Sequence, residues 1–104
     1  MKPVRFSDEA REELRAAARW YEAQHLGLGE EFLSAIDEAV GRVRLLGAHG
    51  GPAPGVPAEL GVQRVLVKRF PYAVVFLEVP RAIRVIAVMH QRRRPGYWRG
   101  RIGS

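Results

Sequence analysis

The chain has 104 residues, enough for one domain around one core, and 47% of them are hydrophobic, which argues against disorder over most of its length. It contains no cysteine, so disulfides and thiolate metal sites are excluded and a reducing cytoplasm is the expected compartment. The net charge of +6 is unevenly spread: residues 1–40 carry five Lys/Arg against nine Asp/Glu, and residues 41–104 carry twelve against two.

The basic second part should attract phosphates or an acidic partner. The opening "MKPVRFSDEA" lacks the apolar run of a signal peptide, and no stretch reaches membrane-spanning length. A soluble protein starting near Met1, with no membrane contact, is expected.

In chain order, "PVRF" (3–6) alternates apolar and polar residues and predicts a brief strand. Ser7 or Asp8 can cap the helix that follows, and Asp8 and Glu9 place negative charge in its first turn. That helix runs to about Gln24, with Leu14, Ala17, Ala18 and Tyr21 forming one apolar stripe. Trp20 and Tyr21 are adjacent, so only one of them can face the core. "LGLG" (26–29) breaks the pattern. A second helix is expected from about Glu30 to Leu46, with Phe32, Leu33, Ile36, Val40, Val43 and Leu46 facing inward. So short a connection predicts an antiparallel helical hairpin. Glu22, Glu30 and Glu31 read as a solvated helix face.

"GAHGGPAPGVPAELG" (47–61) has five glycines and three prolines and reads as a long loop. Strands are expected over 62–70, 71–79 and 82–90, joined by short turns into an antiparallel meander. The expected fold is α+β, in the order β-α-α-β-β-β. The helical hairpin would pack on one face of a small, mainly antiparallel sheet to which the first strand also pairs.

Side-chain alternation places Tyr72, Val74 and Phe76 on one face, and Ala73, Val75, Leu77 and Val79 on the other. In the last strand it groups Ile83, Val85, Ala87 and Met89 against Ile86 and Val88. Both strands are apolar on both sides, which implies a sheet covered on both faces. One hairpin covers only one face. The second needs either the C-terminal tail, with Tyr97 and Trp98 as cover, or a permanent partner laying an amphipathic segment across it.

Three blocks carry a resemblance: "FSDEAREELRAAARWYEAQHLGLGEEF", "RFPYAVVFLEV" and "VIAVMHQRRRPGYWRGR". Together, and in this order, they resemble toxins of the ParE/RelE superfamily of bacterial type II toxin–antitoxin modules, over nearly the whole chain. The resemblance implies one RelE/ParE-like toxin domain over 1–104 without a cofactor. It also implies a cytoplasmic toxin held in a hetero-oligomer by a cognate antitoxin, whose acidic, partly helical C-terminal segment would suit the basic half. RelE-like members cut mRNA on the ribosome, whereas ParE-like members poison DNA gyrase.

A metal-free RNA-cutting site needs a base, an acid and cations at the phosphorus. His90 is the candidate base and Tyr97 the candidate acid, with Arg64, Lys68, Arg84 and Arg92 as phosphate-holding cations. Against this, the best-known RelE-like nucleases carry an arginine after the tyrosine that opens the middle strand, and here Ala73 follows Tyr72. Where those nucleases have lysines on the preceding strand, this chain has Arg64 and Leu66. The "RFPY" phrasing (69–72) is closer to ParE-like sequences.

The expected reading is therefore a ParE-like toxin directed at gyrase. The alternatives are a RelE-like ribosome-dependent mRNA endoribonuclease and a non-toxic antitoxin-binding module. Contacts to antitoxin or target are expected from Arg69, Tyr72, Phe76, Arg92, Arg93, Arg94, Tyr97 and Trp98. His90 has a local alternative, a hydrogen bond that fixes the start of the tail. His25 and His49 lack a second ligand at metal spacing, so no metal site is expected. Nucleic acid should be bound only nonspecifically or through the antitoxin, since no recognition-helix pattern accompanies the arginines.

Overall fold

The computed structural model of the chain describes residues 2–46 and 50–103. Strand β1 (Val4–Phe6) leads into helix α1 (Asp8–Gln24), which is followed by α2 (Leu28–Leu46), β2 (Gly51–Pro52), β3 (Gln63–Leu66), β4 (Tyr72–Val79) and β5 (Ala82–His90). The five strands form one sheet in the order β1-β5-β4-β3-β2, with β1 parallel to β5 and every other pair antiparallel.

Ser7 joins sheet and helix. Its N–H donates to Val85 O at 3.0 Å, and its Oγ accepts the Ala10 N–H at 3.1 Å as an N-cap. The α1 stripe forms as its spacing predicts, with Tyr21 inward and Trp20 left 60% exposed. Helix α2 starts at Leu28, two residues earlier than the glycines suggest. The reason is Glu22, which is not simply solvated: its carboxylate accepts the N–H groups of Gly27 (3.0 and 3.1 Å) and Gly29 (3.0 Å), first-turn donors that otherwise lack partners. Those backbone donors hold the Glu22 carboxyl below the usual carboxylate range. Gly29 also lets the helices approach, since a Cβ there would meet Ala18 O at 2.7 Å. On α2, Phe32, Ile36 and Val43 are buried with Ala35 and Ala39, while Leu33 is 39% exposed rather than inward.

The sheet differs from the simple alternation in two places. β3 stops at Leu66 because the chain turns at Lys68–Phe70, where Arg69 takes φ +70, and a two-residue strand, β2, borders it within the Gly/Pro loop. A β-bulge between Val75 and Phe76 pairs Val75 with Ala87 but Phe76 with Val85, which leaves Ile86 as the extra residue. The bulge reverses the parity of half of β5. Ile83, Val85 and Val88 therefore face the helices, and Ile86, Ala87 and Met89 face away from them.

The second face is closed by the chain itself. Trp98, 1% exposed, packs with Ala53, Val62, Val75, Ile86, Ala87 and Met89, flanked by Val56, Leu77, Tyr97 and Ile102. Tail and loop meet backbone to backbone at Gly55 and Gly96, both at positive φ; a Cβ on Gly55 would lie 2.7 Å from Gly96 N.

The tail is fastened by Glu13 of α1. Its carboxylate accepts the Val88 N–H (3.0 Å), the Tyr97 hydroxyl (2.5 Å) and both Arg101 terminal nitrogens (2.9 and 3.2 Å). Arg101 also donates to Ile86 O at 3.1 Å. The outer edge of β5 beyond β1 is thus sealed by side chains. The Glu13 and Arg101 side chains are only 17% and 19% exposed, so the pair is shielded from solvent screening.

Two outcomes are expected. Trp98→Ala should cost about 3–5 kcal/mol in urea unfolding. Trp98→Phe, which keeps a ring and removes an indole N–H with no acceptor among the described residues, should cost less. Burial first, and then the hydrogen bond to Glu13 and its charge, push the Tyr97 phenol well above its ordinary value near 10. The unfolded phenol then ionises first, so the Tyr97 contribution is intact below pH ~10 and is lost as pH rises above it. Measured from pH 9 to 12, the stability difference between wild type and Tyr97→Phe should shrink with pH, and a constant difference would refute the coupling.

Candidate functional site

A cleft of about 570 Å³ opens where α1 crosses the ends of β4 and β5. Ala16, Ala17, Trp20 and Tyr21 of α1 form one wall, and Pro71, Tyr72, Val88 and His90 the other, with Glu13 and Arg93 at one end. Its aromatic side is continuous: Tyr21 packs on Trp20, Phe32, Phe70 and Tyr72, and Tyr72 packs edge-on against His90 at 5.1 Å. Burial raises the Tyr21 and Tyr72 phenols above their ordinary value.

His90 is fixed by the tail it starts. Its Nδ1 accepts the Arg92 N–H at 3.0 Å, and its carbonyl accepts the Arg93 N–H at 2.9 Å. A backbone N–H can only donate, so the neutral ring carries its proton on Nε2. In that state one ring nitrogen has its lone pair occupied and the other is already protonated.

The other candidate residues are dispersed. Arg64 sits opposite Val75 and Arg84 opposite Leu77, which places both on the tail side of the sheet, whereas Tyr72 and His90 share the helix side with Val74 and Val88. Arg84 donates to the carbonyls of Ile102 (3.3 Å) and Arg101 (3.5 Å) and so braces the tail. Lys68 lies in the β3–β4 turn against Glu38 at 3.4 Å. The Tyr97 hydroxyl is held by Glu13, and the Tyr97 ring lies under Arg93 at 3.8 Å, with Arg101 at 5.2 Å. Base, acid and cations do not converge on one point.

Among the expected contact residues, Arg92, Arg93 and Arg94 are exposed and Tyr72 lines the cleft. Arg69 is exposed beside Phe70, 3.7 Å from Glu31. Phe76 and Trp98, each 1% exposed, are core side chains instead, one under the helices and one under the tail. Phe76 belongs to β4 and Trp98 packs on the other face of the β4–β5 sheet from the tail, so both apolar faces are closed from within. Among the described residues no group of three or more His, Asp or Glu is placed to hold a metal ion; His49 lies outside them. No helix among them is long and apolar enough to cross a membrane.

Glu13 is the residue that hydrophobic periodicity passes over. Ala10, Glu13 and Ala17 follow helical spacing, so the carboxylate sits on the buried side of α1. A charge there needs a partner, and the arginine-rich tail supplies one.

Similarity to known proteins agrees with this architecture. The sequence profile described as "ParE toxin of type II toxin-antitoxin system, parDE" matches residues 4–95. No curated protein matches the chain. Among solved structures, one titled "Chromosomal ParDE TA system from P. aeruginosa" superposes with a TM-score of 0.66 at 22% identity, covering 86% of this chain and 96% of that one, which is a likeness of fold. The chain belongs to the ParE toxin family of type II toxin–antitoxin systems.

Proposed function

We propose that this chain is the toxin of a toxin–antitoxin pair, that it acts in the cytoplasm by binding DNA gyrase rather than by cutting RNA, and that a cognate antitoxin with an acidic, partly helical segment silences it. Family membership over residues 4–95 is the observation that carries the reading. The placement of the ionisable residues supports the non-nucleolytic half of it. The His90 Nδ1 is engaged by the Arg92 amide, and Arg64 and Arg84 lie across the sheet from it. A transition state for RNA cleavage would have to recruit groups from both faces at once.

A binding toxin needs an accessible surface instead. The cleft beside Trp20 and Tyr72, with Arg93 at its rim and Arg92 and Arg94 exposed on either side of Arg93 in sequence, offers aromatic anchors next to cations, the residue types that dominate protein interfaces. The closed tail face makes this cleft a better seat for an acidic amphipathic segment than the second sheet face.

Expressed without its antitoxin, the chain should stop DNA synthesis before translation and induce DNA-damage signalling. Purified, it should inhibit supercoiling by gyrase, and an added antitoxin should reverse that inhibition. Prompt translation arrest with mRNA cuts in the ribosomal A site would sink the reading in favour of a nuclease. Absence of any growth defect would favour an antitoxin-binding module without toxicity. His90→Ala should keep full toxicity while the fold holds by circular dichroism; a nuclease relying on His90 would lose about 100-fold or more.

A further inference from the structure

Two charged side chains line the cleft between α1 and the ends of β4 and β5, Glu13 and Arg93. Glu13 is matched inside the fold by Arg101, at 2.9 Å. Arg93 rests on something different. Its guanidinium carbon lies 3.8 Å over the centre of the Tyr97 ring, and a phenol carries no charge at neutral pH. Glu13, Arg101 and Arg93 together therefore leave one positive charge at the cleft, and Arg93 carries it.

The position of Arg93 is set at both ends. Its backbone N–H donates to the His90 carbonyl at 2.9 Å, which fixes where the side chain leaves the turn. The Tyr97 ring beneath its head group is itself held by the hydroxyl bond to Glu13. A guanidinium resting on a ring keeps the donors along its edge for a planar acceptor, and a carboxylate is the acceptor that matches them. Because the cation is placed in advance, less freedom is lost when a ligand arrives. Arg93 is nevertheless exposed, so the group is within reach.

The rest of the cleft calls for an apolar side chain. Trp20 stands 60% exposed on one wall, Tyr72 lines the other, and the small side chains of Ala16 and Ala17 leave the space beside α1 open. An indole with one apolar face uncovered is a typical anchor of a protein interface. A nucleic-acid strand would need several cations spaced along its phosphates, and the lining supplies one, with a carboxylate at the same end.

We infer that the cleft recognises a protein segment by two features at once: an apolar side chain that lies between Trp20 and Tyr72, and a carboxylate that pairs with Arg93. Arg93 is then the residue that selects for the carboxylate. This recognition presupposes that an acidic segment is seated in the cleft, as proposed above, and does not depend on which enzyme the toxin inhibits.

Heteronuclear NMR titration of the nitrogen-labelled intact chain tests it. The probes are two capped peptides, one with a leucine between two glutamates and a twin with glutamines in their place. The acidic peptide should give saturable shifts at the Trp20 indole and leave the Trp98 indole, sealed under the tail, where it is. The glutamine twin should bind about fivefold more weakly. Arg93→Gln should weaken the acidic peptide by a similar factor and make the two peptides equal, since the carboxylate has lost its partner. Arg93→Lys should recover part of the loss. Arg81→Gln removes the same charge at the far end of the β4–β5 hairpin and should leave the preference for glutamate intact. Shifts at Trp20 with an affinity that changes less than about twofold in Arg93→Gln, or that falls as much in Arg81→Gln, would overturn the role of Arg93 and leave the seat standing. No shift at Trp20 would overturn the seat and the inference together. Shifts produced by concentrating the protein alone, or an oligothymidylate that displaces the peptide, would overturn the inference in favour of a second copy or a nucleic-acid strand. Unchanged thermal midpoints in the variants exclude unfolding as the cause of any loss.

Discussion

The carboxylate of Glu13 is the interaction on which the rest of the fold depends. It sits on the inward side of α1 and accepts four hydrogen bonds from a strand amide, a phenol and a guanidinium. A carboxylate this shielded would be costly if unpaired. Here its bonds join three parts of the chain distant in sequence: the first helix, the last strand and the C-terminal tail. The Val88 amide would otherwise be an open edge of β5, because β1 pairs only as far as Val85. The same carboxylate holds Tyr97 and Arg101, and so keeps Trp98 seated over the second sheet face.

That arrangement changes what the basic half of the chain has to offer. The surplus of arginine in residues 41–104 suggests a uniformly attractive surface, but several of those cations have internal work. Arg101 neutralises Glu13, Arg84 braces the tail carbonyls, and Arg42 caps β3. The run Arg92–Arg94 stays exposed, next to an aromatic cleft rather than beside a bare sheet. The second apolar sheet face is thereby closed, and the open groove of the chain lies beside α1.

Most of the architecture could be read from the sequence. Periodicity gives both helices, the apolar runs give β4 and β5, and doubly apolar strands imply cover on both faces, which Trp98 supplies on the second. Three features could not be read, for physical reasons. The bulge that inverts half of β5 depends on the pairing between two strands, and an alternating pattern within one strand carries no trace of it. The early start of α2 depends on Glu22 reaching the amides of Gly27 and Gly29, a contact that exists only once the hairpin turns. Phe76 resembled a surface contact because strand alternation shows which residues share a face and leaves open which face is covered. In the site, the run of arginines and Tyr72 were visible as accessible residues. A local hydrogen bond that fixes the start of the tail was also among the readings of His90, and the Arg92 amide supplies it; the separation of Arg64 from His90 was not legible, because it follows from which side of the sheet each residue takes.

A double-mutant cycle between Glu13 and Arg101 tests most directly the claim that the tail is a built part of the fold. Glu13→Gln, Arg101→Gln and the pair would be compared by urea unfolding at neutral pH. A buried, multiply bonded pair predicts a coupling energy of about 2 kcal/mol or more, with faster hydrogen exchange at the Val88 amide in Glu13→Gln. A coupling within about 0.5 kcal/mol of zero, as exposed ion pairs give, would contradict it and leave the second face open to a partner.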